Sequence, residues 1–305
     1  MTLAVGVDVG GTKTAAALVD AAGTVGPVVT VPTPAAAGGA AVLDAIAGLV
    51  RRVADGRPIV GVGVGTAGVV DAGRGVIVSS TDTFVDWIGT DVAAGLRARL
   101  GVERVEVRND VDAHALGEAW LGAGAGAASL LMVAVGTGVG GALVLDGRLR
   151  TGAHHVAGEL GHIPAVGAEG LRCPCGRPGH LEALAAGPGL ARRYGVLAGV
   201  EMDAREVARR AAAGDATATR AIADAAACLG RAVAGIMTVV DPEVVVIGGG
   251  VPGIGALWWG PMEAACRAET IDALAGVPIV PAVLGAEAAL LGAASTVLLS
   301  QDDKE

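Results

Sequence analysis

The same local pattern, an apolar strand, a glycine turn and a second apolar strand, occurs twice in this chain. Val5-Gly-Val-Asp-Val-Gly-Gly-Thr-Lys13 runs into the apolar stretch 15–19, and Val133-Ala-Val-Gly-Thr-Gly-Val-Gly-Gly141 runs into 142–145. A glycine turn folds one strand back on the next, and a repeat of such a unit implies duplicated domains that face one another across a cleft. One such hairpin would mean little in a chain with 50 glycines; the pair carries the argument. Other Val/Ile-rich runs, at 3–7, 59–64, 105–107, 130–135, 244–247 and 277–280, read as strands. Between them lie helical patterns. Val42, Leu43, Ile46, Leu49, Val50 and Val53 share one face at the helical period, and further helices are expected near 91–100, 111–121, 205–213, 216–240, 257–268 and 287–299. Strands alternating with helices mean an α/β fold, and 305 residues are enough for two domains with separate cores.

Composition narrows the class of ligand and partner. Aromatic residues make up 2% of the chain, so a polar ligand must be held by hydrogen bonds rather than by stacking on aromatic faces. A net charge of −9 leaves no basic stripe, which argues against a nucleic-acid partner. The N-terminus meets Asp8 before an apolar run can develop, so no targeting segment is expected. The longest apolar stretch, 130–145, is broken by Gly136, Gly138, Gly140 and Gly141 and is too short to span a membrane. Of the four cysteines, Cys173 and Cys175 form a tight pair, whereas Cys228 and Cys266 stand alone in helical patterns. That layout disfavours disulfides and suits the reducing cytoplasm.

Three glycine turns have the makings of a nucleotide site. In Asp8-Val-Gly-Gly-Thr-Lys13, Gly10 and Gly11 permit positive φ, which lets successive N–H groups converge on phosphate oxygens, and the Thr12 hydroxyl adds a donor. Lys13 completes the motif. Asp8, at a strand end, is placed to hold Mg²⁺ through water. Gly136-Thr137-Gly138 forms a second grip on the phosphates, and Gly248-Gly249-Gly250 lets a flat adenine approach the backbone. None of the three is a Walker A loop or a dinucleotide fingerprint, because the spacings differ. Their order and separation resemble the actin-like sugar kinases, and Asp-x-Gly-Gly-Thr-Lys near the start resembles the ROK (repressor, open reading frame, kinase) family.

Asn109-Asp110 follows the strand at 105–107 and precedes a helix. By position alone the pair is an ordinary helix N-cap. ROK kinases carry Asn-Asp at this place, and the resemblance implies that Asp110 is the base that takes a proton from the attacking sugar hydroxyl. The family pattern continues with alanine and asparagine, whereas this chain reads Val-Asp-Ala-His. Asp112 and His114 are assigned no catalytic role and are expected on the solvent side of the helix.

A denser motif follows: Glu159-Leu-Gly-His162, then Cys173-Pro-Cys-Gly-Arg-Pro-Gly-His-Leu-Glu182. His162, Cys173, Cys175 and His180 offer two thiolates and two imidazoles in one short segment, a set that suits tetrahedral Zn²⁺. The stretch 166–179 has little with which to build its own core, so a metal staple is physically sensible. Zinc-binding ROK proteins end this motif Cys-x-Cys-Gly-x-x-Gly-Cys-x-Glu; here His180 stands where they have the last cysteine. The resemblance further implies that Asn109, Asp110, Glu159, His162 and Glu182 hold the sugar, with Gly68 and Thr81 as further candidates. His162 would reach zinc through one ring nitrogen and the sugar through the other.

The resemblance, from Asp8 to the C-terminal helix, implies a two-lobed actin-like (ribonuclease H-like) ATPase fold. The expected lobes are residues 1–108, completed by the C-terminal helix 286–305, and residues 109–285, carrying the zinc segment and the adenosine site. The implied activity is ATP- and Mg²⁺-dependent phosphorylation of the 6-hydroxyl of glucose, N-acetylmannosamine or N-acetylglucosamine, and the implied assembly is a homodimer. Glucokinases of the family read Ala-Pro-Asn-Leu-x-Trp before a tryptophan that this chain has as Trp87; Ser80-Thr81 is more like the kinase half of the bifunctional N-acetylmannosamine enzyme. Thr81 is shorter than Asn and leaves room for an acetamido group, unless the segment is simply a variable loop. The rival readings are a sugar-responsive regulator, for which the expected winged helix ahead of Asp8 has no room, and a sugar sensor without kinase activity.

Overall fold

The structure is a computed structural model that describes residues 2–80 and 83–299. Its first half runs β1 (Leu3–Val9), β2 (Lys13–Asp20), β3 (Val29–Pro32), α1 (Gly39–Ala54), β4 (Val62–Thr66), β5 (Val69–Asp71), β6 (Val76–Ser79), α2 (Val92–Leu100), β7 (Val105–Asn109) and α3 (Asp110–Leu121). The second half runs β8 (Leu130–Val135), β9 (Val139–Leu145), β10 (Arg148–Arg150), α4 (Glu182–Ala185), α5 (Gly187–Ala198), α6 (Ala204–Ala212), α7 (Ala216–Val240), β11 (Val244–Gly248), α8 (Ala256–Glu269), β12 (Ile279–Pro281) and α9 (Ala288–Leu298).

The repeat seen in the glycine hairpins is a repeat of whole sheets. One five-stranded sheet has the order β3-β2-β1-β4-β7 and the other β10-β9-β8-β11-β12. β1 pairs antiparallel with β2 and parallel with β4, which pairs parallel with β7. β11 likewise pairs parallel with β8 and with β12. The parallel strands are buried along their whole length, VGVGT in β4 and VVVIG in β11, which is why both read as continuous apolar runs without alternation.

The chain divides into two compact units. One comprises Met1–Ala128, Leu143–Ala157 and Ala282–Glu305, the other Ser129–Ala142 and Gly158–Pro281. In the first, α1 lays its apolar stripe, Val42, Leu43, Ile46, Leu49, Val50 and Val53, on the core that it shares with β1, β4 and β7. Helix α9 packs against the first sheet and α3 at glycines. A Cβ on Gly6 or Gly63 would collide with the carbonyls of Leu290 or Ala293, and one on Gly117 or Gly292 with those of Ala288 or Ala113. These approaches put backbone against backbone, so α3 belongs to the first unit together with α9, whereas the sequence reading drew the lobe boundary at 108. In the second unit α7 packs on α5, α6 and α8. Among the described residues α7 is the one helix long and apolar enough to cross a membrane, and half of its most apolar stretch is buried in those contacts.

Candidate active site and metal centre

In the first unit the β1–β2 turn carries the Asp8–Lys13 motif. Gly10 N–H donates to the Lys13 carbonyl at 3.0 Å, and Thr33 braces the turn through its hydroxyl to the Gly10 carbonyl at 2.7 Å and its N–H to the Thr12 carbonyl at 3.0 Å. Neither Gly10 nor Gly11 adopts positive φ, contrary to expectation. Gly11 is needed for a different reason: a side chain there would collide with the methyl group of Thr83.

Asp8 is the last residue but one of the apolar strand β1, and burial lifts its carboxyl from 3.8 to about 6; the neighbouring Asp110 charge adds to the rise and Lys13 opposes it. Asp110 is the first residue of α3, and burial raises its carboxyl too, against the Val111 N–H, which donates to it at 2.9 Å. The helix cap is Asn109. Its Oδ1 accepts from Val111 N–H at 2.8 Å and Asp112 N–H at 3.4 Å, and its Nδ2 donates to the Gly68 carbonyl at 3.0 Å. Asn109 is thus the helix cap, and Asp110 shares its Val111 N–H donor. Gly68 has φ +102° and no space for a Cβ beside the Ser79 carbonyl. Thr81 lies outside the described residues.

The expectation for His114 and Asp112 is corrected. His114 Nε2 is buried without a hydrogen-bond partner among the described residues, and burial holds the ring below its ordinary pKa; Asp112 is half-buried. His114 therefore lies on the packed side of α3. Glu118, fully buried one turn beyond His114, accepts from Ala123 N–H at 2.8 Å with one oxygen and from Val283 and Leu284 N–H at 3.0 and 2.9 Å with the other.

In the second unit the Cys/His segment is built by tight turns. Cys173 N–H donates to the Arg177 carbonyl and Gly176 N–H to the Cys173 carbonyl, both at 2.9 Å, with positive φ at Gly176 and Gly179. Short bridges pair Pro164 with His180 and Arg172 with Pro178. These turns gather His162, Cys173, Cys175 and His180 so that their ligand atoms all lie within 4.8 Å of one another. Cys173 Sγ is 3.6 Å from His162 Nδ1, and Cys175 Sγ is 3.2 Å from His180 Nδ1. A zinc ion bound at about 2.0 Å to nitrogen and 2.3 Å to sulfur would put tetrahedral ligands about 3.3–3.8 Å apart, so the donor set and its spacing fit Zn²⁺. Burial pushes the Cys173 thiol up to about 11, so it is uncharged without a cation beside it. His162 turns Nε2 the other way, 3.8 Å from Glu159 Oε2. Glu182 links this centre to the second glycine turn: one oxygen accepts from Val139 N–H at 2.9 Å and the other lies 3.9 Å from Cys173 Sγ. Gly138 has no room for a side chain beside that carboxylate.

The same unit holds a cavity of about 910 Å³. Gly136 and Thr137 of the second turn and Gly250 of the third line it, together with the first turns of α5 and α6. Gly136 is tied to α5 through its carbonyl, which accepts from Gly187 N–H at 2.9 Å. Gly249 has φ +94° and lies against the Val135 backbone, so only glycine fits. Gly248 closes β11. The α5 and α6 walls were not foreseen. The one local signal was Asp203 three residues before Glu206, the spacing of a helix start, and Asp203 does cap α6 by accepting from Glu206 N–H at 2.8 Å.

The comparisons agree on one family. The ROK family model matches residues 4–299. The chain is 34% identical over 308 residues to a glucokinase of Thermotoga maritima, covering 96% of each chain. It is 39% identical over 296 residues to the bifunctional enzyme NanE/NanK of Brucella melitensis, covering 94% of this chain and 52% of that one. Among solved structures, a ROK hexokinase from Thermus thermophilus superposes with a TM-score of 0.89 at 37% identity, covering 99% of this chain and all of the other. A ROK family glucokinase from Streptomyces griseus, in complex with glucose and AMPPNP, does so at 0.80 and 32%, covering 96% and 98%.

Proposed function

The chain belongs to the ROK family and is a sugar kinase with the actin-like ATPase fold, and from that premise we propose that it transfers the γ-phosphoryl group of ATP to the 6-hydroxyl of glucose or an N-acetylhexosamine. The observation that carries the reading is the carboxylate pair of the first unit. Asp110 stands at the N-terminus of α3 beside the Asn109 cap, and burial raises its pKa above the ordinary carboxylate value, which makes it a stronger base. In the proposed step the sugar O–H gives its proton to Asp110 as the oxygen attacks the γ-phosphorus, and ADP leaves with the electron pair of the broken P–O bond. Asp8 would hold Mg²⁺ through water beside the Gly10–Lys13 turn, and Gly136–Gly138 would be a further phosphate grip; Mg²⁺ would neutralise charge on the transferring group.

The cavity bounded by Gly136, Thr137 and Gly250 would receive the adenosine. His162, Cys173, Cys175 and His180 would hold zinc, which fixes the His162 ring and leaves Nε2, beside Glu159, for a sugar hydroxyl. Zinc thereby organises binding and takes no part in phosphoryl transfer. Glu182 and Asn109 are the remaining sugar contacts in this reading. The two glucokinase relatives support glucose; the NanE/NanK relative and Thr81 support an acetylated sugar. The family resemblance also leads us to expect a homodimer.

The test is kcat/KM for glucose, N-acetylglucosamine and N-acetylmannosamine at fixed MgATP. Phosphorylation of at least one is expected. Turnover of glucose with none of the acetylated sugars would remove Thr81 as the mark of an acetamido pocket. Tight sugar binding with no phosphorylation of any hexose would overturn the kinase reading in favour of a sensor.

A further inference from the structure

The cavity of the second unit has a chemical gap: it is shaped for a flat base, yet none of its lining residues is aromatic. The chain's one tyrosine, Tyr194 on α5, is buried elsewhere and bound to Asp215 and Arg210. The walls are otherwise small aliphatic groups, Ala191, Ala204, Ala208, Val251 and Ile254. These exclude water from a base without stacking on it.

Arg205 is the planar group available there. It lines the cavity from the first turn of α6, it is exposed, and it makes no hydrogen bond or ion pair with any described residue. The other arginines nearby are committed. Arg209 and Arg210 both bind Glu206, and Arg192 donates to the Ala183 carbonyl at 2.9 Å. The Asp203 cap fixes the start of α6, so the Cα of Arg205 is held while its side chain stays uncommitted. A guanidinium is flat, delocalised and weakly hydrated, and it stacks on π-systems as an ammonium does not. Resting on the nucleotide reading above, we propose that Arg205 is the stacking platform for the nucleotide base and a determinant of affinity for base-bearing phosphoryl donors. It acts on binding and is not a catalytic residue.

Charge and planarity are separated by Arg205→Lys, with Arg205→Ala as the full deletion. Because Arg205 is exposed and unpaired, both variants should keep the wild-type melting temperature. The expected result is that both raise KM for ATP roughly three- to tenfold with kcat unchanged. Inorganic tripolyphosphate, which has no base, should compete with ATP with the same Ki in wild type and variants. Wild-type KM in Arg205→Lys would overturn the proposal. So would a parallel weakening of tripolyphosphate, because Arg205 would then be a phosphate ligand. If the wild-type protein binds no ATP in calorimetry, the nucleotide reading itself fails; if it binds and Arg205→Lys binds equally well, only this inference fails.

Discussion

Asp8 trades stability for function, and Asp8→Asn should expose the trade. The folded protein holds the Asp8 carboxyl near pH 6 against an ordinary value of 3.8, chiefly through burial and then through Asp110. A raised acid pKa means that the folded state prefers the neutral form. Below pH 3.8 the group is protonated in folded and unfolded chains alike and costs nothing. Between 3.8 and 6 the unfolded chain ionises while the folded one resists, and stability falls as pH rises; above 6 the full penalty stands. At 1.36 kcal/mol per pH unit the ceiling is about 3 kcal/mol. Asn has the shape of Asp and no charge, so Asp8→Asn should be up to about 3 kcal/mol more stable than wild type at pH 7.5, a rise in melting temperature of about 5 °C. The gain should shrink to about 1 kcal/mol at pH 4.5. The same variant should lose phosphoryl transfer by roughly a hundredfold, because the anion that would hold Mg²⁺ is gone. Thermal unfolding at the two pH values without metal or nucleotide, paired with a coupled ADP-release assay at pH 7.5, reads both arms. A variant no more stable than wild type at pH 7.5, or equally advantaged at both pH values, would refute the electrostatic reasoning. Undiminished turnover would remove Asp8 from the metal site.

Three further outcomes are expected. Asp110→Asn should lower kcat roughly 10²- to 10⁴-fold while calorimetric sugar affinity survives; near-normal turnover would reduce Asp110 to a first-turn helix residue. The purified protein should carry close to one zinc per chain by elemental analysis, and His180→Ala should lower that content and weaken sugar binding with it; a fully active, metal-free preparation would sink the zinc assignment. Glu118→Gln keeps one oxygen for Val283 and Leu284 but turns an amide N–H toward Ala123 N–H, so it should cost about 1–3 kcal/mol in urea unfolding; an unchanged midpoint would mean that solvent already satisfies that donor.

What could be read from the sequence divides by the range of the interactions involved. The Asn109-Asp110 pair and the Cys/His segment were legible because their chemistry is packed into short stretches: residues 173–182 alone supply three of the four clustered ligands. Helix α7 matched its expected span, 216–240, because Asp215 caps it locally and its apolar stripe is long. Helix α5 was missed because its sequence, GPGLARRYGVLA, opens on Gly-Pro-Gly and carries Gly195 further along, residues that argue against helix. Gly189 is there because a Cβ would run into the Ala183 and Leu184 carbonyls, a contact that propensity does not register. His114 was misplaced for a related reason. Its spacing along α3 does not reveal which face α9 covers, and the partners of Glu118 on the next turn are Val283 and Leu284, 165 and 166 residues away.

Part of the glycine content answers a packing need in the first unit. Where α9 meets β1, β4 and α3 at Gly6, Gly63, Gly117 and Gly292, backbones touch, and the core between them is filled by Ala, Val and Leu. Among the described residues, the one ring against this cluster, Trp120, packs at its edge. In the second unit the cavity proposed for the nucleotide has aliphatic walls, where Val251, Ile254 and the alanines of α5 and α6 would bury a base. Orientation of the base must then come from a planar group that is not aromatic, and Arg205 is the group so placed without another partner among the described residues.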